Sequence, residues 1–173
     1  MLKAGVARID VTPPTGLRMS GFAGRVFPSL AVHDPLWARA IVFDDGERRA
    51  GLVTMDLRGV SEETVAKVRG STARSGIAPE GLLLAGTHTH SAPRFWDDGT
   101  LSEKEREYCQ SLPEKLISVV GEAVSRLEPV KVGAVSGWSA IGINRREMVP
   151  GVPVTWAWDT DCRWLAMPAI ASQ

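Results

Sequence analysis

The chain holds three histidines in 173 residues, and two of them stand two apart in Gly86-Thr87-His88-Thr89-His90-Ser91. In an extended strand, residues i and i+2 face the same side with Cα atoms roughly 6.5–7 Å apart, so His88 and His90 can converge on one centre while Thr89 faces away. Neutral imidazole is a zinc ligand, and a catalytic zinc takes three protein ligands and keeps one position open for water. Two histidines do not complete that shell. The third histidine, His33, lies beside Asp34 in an irregular stretch, and Asp56 ends an apolar run; these two are the further candidates for the metal. The neighbours of the pair are small or hydroxylated (Gly86, Thr87, Thr89, Ser91, Ala92), and Pro93 closes the segment. That leaves space for a ligand beyond the strand tip, where the sites of α/β sheets usually lie. The plainer reading of such a pair is structural, with the imidazoles meeting solvent or capping backbone groups.

The elements that would place these residues follow from periodicity. Residues 4–11 read as a β-branched strand ended by Pro13 and Pro14, which cannot donate to a ladder. Leu17 to Pro35 reads as an ordered but irregular excursion. Two apolar runs, 37–43 and 49–57, flank Asp44-Asp45-Gly46-Glu47 and predict an antiparallel hairpin. Ser61 offers an N-cap for a helix that has Glu62 and Glu63 in its first turn and stops near Gly70 or Gly76. Leu82-Leu83-Leu84-Ala85 lacks alternation, which predicts a strand buried on both faces in the middle of the sheet. Ser102 and Glu105 form a capping box before a long amphipathic helix marked by Tyr108, Leu112, Leu116, Val119, Ala123 and Leu127. Pro113 is a place where that helix can kink. Residues 130–141 return to strand character. The resulting order, β, β-hairpin, α, β, α, β, predicts an α/β domain in which helices pack on a mixed sheet.

Composition narrows the function classes. Lys plus Arg equals Asp plus Glu at 20 each, so no net field draws the chain to nucleic acid or to an anionic bilayer. The balance favours a neutral or small partner over a polyanion. No stretch of roughly 18 apolar residues predicts a transmembrane helix, and no signal peptide is visible, which gives a cytoplasmic expectation. Cys109 and Cys162 can form one bridge, but two thiols do not imply an oxidising compartment. Trp156, Trp158 and Trp164 crowd the last segment, a candidate surface for oligomer formation. Two His-x-His hydrolase patterns are excluded. A metallo-β-lactamase-like motif would place an acid and a histidine where Ala92 and Pro93 stand, and an eight-unit amidohydrolase barrel needs a longer chain.

Four blocks in order carry a resemblance: Ala4-Gly5-Val6-Ala7-Arg8-Ile9-Asp10-Val11-Thr12-Pro13, Gly21-Phe22-Ala23-Gly24-Arg25, His33-Asp34-Pro35-Leu36-Trp37-Ala38-Arg39-Ala40, and Gly86-Thr87-His88-Thr89-His90-Ser91-Ala92-Pro93. Together they resemble the N-terminal catalytic domain of neutral/alkaline non-lysosomal ceramidases. Gly142-Ile143-Asn144-Arg145-Arg146 is similar to that family's Asn-Arg segment. On this basis residues 3–147 are a partial ceramidase-like domain and 148–173 an atypical Trp-rich tail. The resemblance implies a zinc amidase that cleaves ceramide into sphingosine and a fatty acid, and with it a small lipid-like or amide substrate as partner. It implies one zinc ion with His88 as a ligand, His90 beside the metal as the proton handler, and Arg145 stabilising negative charge. It also implies a further histidine, glutamate and tyrosine ligand downstream of the Asn-Arg segment, and nothing after residue 147 supplies them. The expected fold is therefore incomplete relative to the family domain. The expected function is a zinc-dependent amide hydrolase, with an inactive truncated fragment or a non-enzymatic binding module as alternatives.

Overall fold

The computed structural model describes residues 1–22, 25–97 and 99–139. The elements follow the expected order: β1 (Lys3–Asp10), β2 (Trp37–Asp44), β3 (Arg49–Met55), α1 (Glu62–Thr72), β4 (Ile77–Gly86), α2 (Glu103–Ser125) and β5 (Glu128–Pro129). They form a mixed five-stranded sheet in the order β4-β3-β2-β1-β5. β2 and β3 are the predicted antiparallel hairpin, with Ala40 opposite Val53. β3 and β4 run parallel, with α1 as the crossover between them.

Two helix starts are set by the residues that the sequence marks. The Ser61 hydroxyl accepts from the Thr64 amide, and Ser102 with Glu105 forms a complete capping box. α1 ends at Thr72, a short 3-10 turn follows, and Gly76 closes it in the left-handed region at φ 73°. α2 continues through Pro113. Its Tyr108, Leu112, Leu116, Val119, Val120 and Ala123 are buried in the core with Val42, Val53, Met55 and Leu82. Each Val, Leu or Met among them contributes roughly 1.5–3 kcal/mol when fully buried. β1 meets α2 at Gly5, where a Cβ would lie 2.0 Å from the Ala123 carbonyl oxygen. Only glycine permits that approach.

Two expectations need correction. Among the described residues β4 is an edge strand, and Leu83 is 57% exposed because the helices among them cover one face of the sheet. Its unbroken apolar run reflects an open apolar face, which also carries Val6 at 59% exposure. The return to strand after α2 is confined to Glu128–Pro129, and 130–139 have no regular structure.

The chain divides into two compact units, the first being Met1–Gly21 with Val26–Lys131. All the elements above belong to it. Of the second unit, Phe22–Arg25 with Val132–Gln173, the described residues include Arg25, whose guanidinium lies 4.8 Å from the Phe22 ring centroid, and an exposed Trp138. Arg145, Cys162 and the Trp-rich segment 148–173 lie outside the described residues.

Candidate active site

The site is built where β4 ends. At Gly86 a Cβ would lie 2.7 Å from the Leu57 carbonyl oxygen and 2.8 Å from the Gly59 nitrogen, so the strand tip rests directly on the 57–59 turn. The Thr87 amide donates to the Met55 carbonyl at 2.9 Å and the His88 amide to the Leu57 carbonyl at 3.0 Å. His88 then turns left-handed, with φ 61°, the one non-glycine residue with positive φ among those described. That conformation costs about 1–2 kcal/mol and persists because the surrounding bonds over-determine it.

The two histidines are therefore not paired by strand alternation, as their spacing suggested. They lie in the loop after the strand, and the turn at His88 brings their rings to a centroid separation of 5.2 Å with planes 58° apart. His88 Nδ1 is 2.9 Å from the Arg58 carbonyl oxygen. A carbonyl can only accept, so Nδ1 carries the proton and the neutral ring keeps its lone pair on Nε2. The His88 side is exposed and His90 half-buried.

His90 is walled by the excursion that precedes β2. A Cβ on Gly21, whose φ is 108°, would fall 2.4 Å from the ring carbon of His90. The excursion is tied down on both sides of this contact. The Ser20 amide donates to the Ala92 carbonyl at 2.9 Å, and Met19 forms an antiparallel bridge with Pro93. Further back, Arg18 gives its backbone amide and guanidinium to Glu105, at 3.0 Å and 2.8 Å. The Arg18 guanidinium holds the Glu105 carboxyl at a pKa of about 2, against an ordinary 4.5.

His33 and Asp56 reach a neighbouring cleft. With Asp34, Thr89 and Ser91 they line a space of about 480 Å³ whose apolar wall includes Met19, Val32 and Leu36. His33 hydrogen-bonds Asp34 Oδ2 at 2.6 Å with its side chain 97% exposed. Asp56 accepts from the Trp37 amide at 3.0 Å and from Arg39 at 2.9 Å. It thereby joins the start of β2 to the end of β3. Among the described residues no three His, Cys, Asp or Glu side chains gather into a group able to hold a metal ion. His88 and His90 offer imidazole donors of the right chemistry, but they do not make a catalytic zinc shell by themselves. Arg145 is outside the described residues.

Several residues with a part in this geometry carried no signal of their own in the sequence. Arg58 acts through its backbone carbonyl, which any residue possesses. Its guanidinium lies 4.9 Å from the Trp96 ring centroid, and Phe95 packs on Gly59 and meets Trp96 edge-on at 4.7 Å. Gly21 was visible as one of the glycines of the excursion, but its contact with His90 joins residues far apart in sequence.

No family model matches the chain. The neutral ceramidases of Drosophila pseudoobscura pseudoobscura and Drosophila melanogaster are each 31% identical to it over 99 residues, which is 53% of this chain and 14% of theirs. The neutral ceramidase structure from Pseudomonas aeruginosa superposes with a TM-score of 0.63 at 25% identity, over 74% of this chain and 22% of that one. Sequence and fold both match neutral ceramidases. A second structure, of a ceramidase complexed with C2, shares the fold with a TM-score of 0.60 at 24% identity. The mixed sheet with helices thus matches part of the neutral ceramidase fold, and the chain spans 14% of the length of the ceramidases it matches in sequence.

Proposed function

We propose that this chain is the histidine-bearing part of a ceramidase-like hydrolase that cleaves the amide bond of a lipid. The observation that carries the reading is the His88–His90 imidazole pair, with His88 Nδ1 bound to the Arg58 carbonyl, at a strand end of a fold shared with neutral ceramidases. Hydrolysis adds water across the C–N bond, giving a carboxylic acid and an amine. His90, walled by Gly21, is assigned the proton traffic: it accepts a proton from the attacking water and returns one to the departing nitrogen. The cleft beside the loop, with apolar side chains and the hydroxyls of Thr12, Thr89 and Ser91, suits an amphiphilic amide.

The resemblance implies one zinc ion, which when bound polarises the carbonyl and acidifies water. His88 would supply one donor through Nε2, the nitrogen that its bond to Arg58 leaves unprotonated. The remaining donors must come from residues other than those described, or from a second polypeptide. Arg145 is assigned to negative charge on the substrate, a role that rests on the resemblance alone.

Release of fatty acid from a short-chain ceramide in the presence of zinc, with zinc binding followed by calorimetry, tests the reading. His88→Ala should abolish zinc binding, and His90→Ala should retain it while lowering turnover about 10²–10⁴-fold. Absence of both zinc binding and fatty acid release, from the wild-type chain alone and from the chain mixed with a polypeptide that supplies the remaining donors, overturns the proposal.

A further inference from the structure

The imidazole of His88 hydrogen-bonds the Arg58 carbonyl, so whatever fixes that carbonyl helps to fix the ring. The 57–59 turn is held from three sides. Leu57 is fully buried, and its carbonyl packs against Gly86. A Cβ on Gly59 would fall 2.7 Å from the Phe95 ring, so this residue lies flat against the aromatic side chain. The Arg58 guanidinium sits over Trp96 at 4.9 Å, and Trp96 is locked edge-to-face against Phe95. A residue whose side chain is pinned at one end and whose backbone neighbour is pinned at the other has little freedom to rotate its carbonyl. The left-handed backbone at His88 also needs its partners held still.

We propose that Trp96 is a positioning residue for His88, acting through its contact with the Arg58 guanidinium, which fixes the Arg58 carbonyl and with it the tautomer and orientation of the imidazole. The proposal rests on the reading of His88 as a working imidazole, because only then does its tautomer matter to function. Its effect on the ring runs through Arg58 and is therefore indirect. An indole face holds a guanidinium by attraction between the cation and the ring quadrupole, and a phenyl ring at the same place would do so more weakly.

Nitrogen-15 spectra of the His88 ring, recorded on the full chain at a pH where imidazole is neutral, report the tautomer directly. The wild type should show nearly all Nδ1-protonated ring. Trp96→Ala should lower that fraction to about half, and Trp96→Phe should restore most of it. Arg58→Ala keeps the carbonyl and removes only the clamp; it should reproduce the Trp96→Ala spectrum, and the double variant should add nothing further. If Trp96→Ala does not fold, Arg58→Ala decides alone. An unchanged His88 tautomer in a folded Arg58→Ala chain overturns the proposal, as does an effect of Trp96→Ala that Arg58→Ala does not share. A wild-type chain inactive on ceramide would defeat the functional reading yet leave these spectra, and the positioning role they measure, intact.

Discussion

His88 occupies a backbone conformation that L-residues avoid, and it does so at an exposed position. The strain and the ring orientation have one cause, the three bonds that Thr87 and His88 make to Met55, Leu57 and Arg58. Gly21 is the counterpart on the His90 side. Its φ of 108° and the 2.4 Å approach of a Cβ to the ring make any side chain there doubly unfavourable. Gly21→Ala should destabilise the chain by about 2–3 kcal/mol and shift the ring resonances of His90 ahead of any change in distant core methyl groups. Urea unfolding with NMR detection measures both; a wild-type His90 spectrum in that variant would show that Gly21 does not wall the ring. The importance of His88 and His90 was legible because the His-x-His pair is short and local. Its geometry was not, since period-2 alternation describes an extended strand and says nothing of a left-handed turn. Arg58 was invisible for a related reason, because a backbone carbonyl leaves no mark in the sequence.

At the level of elements the sequence was a better guide. Capping residues and 3.6-residue periodicity are local signals, and Ser61, Ser102 and Glu105 do in the fold what their spacing predicts. The hairpin of β2 and β3 follows from two apolar runs around Asp44-Asp45-Gly46-Glu47. β4 was misread because an apolar run does not distinguish a strand covered on both faces from an edge strand whose outer face is apolar and open. The contact of β1 with α2 was also beyond reach, since it depends on Gly5 meeting Ala123 across more than a hundred residues. Gly5→Ala puts a methyl group against backbone that cannot move aside, because the 2.0 Å neighbour is a helix carbonyl. A loss of about 2–4 kcal/mol in chemical denaturation is expected. If the variant is as stable as the wild type, β1 and α2 can separate without cost and this close packing is not what holds them.

Across the whole first unit, one carboxylate joins the start of α2 to the excursion that walls the histidines. Glu105 is 3% exposed; it accepts from Ser102 in the capping box and from Arg18, which lies 87 residues away in sequence. From Arg18 the connection runs through Met19 and Ser20 to Pro93 and Ala92, and so to Gly21 against His90. The folded carboxyl titrates at about 2, below its ordinary 4.5, chiefly because of Arg18. A depressed carboxyl pKa stabilises the fold fully above the unfolded value and progressively less as pH falls toward the folded one. Glu105 should therefore contribute about 3 kcal/mol at pH 7, a contribution lost between pH 4.5 and 2. Glu105→Gln mimics the protonated acid. Its unfolding free energy should lie below that of the wild type by this amount at neutral pH and converge with it near pH 2. Other carboxylates are common to both proteins and cancel in the difference. Denaturant unfolding of the pair across that range measures the gap directly. Two parallel curves would mean that the Arg18–Glu105 contact leaves global stability untouched, and that the wall of the histidine site is held by its backbone bonds alone.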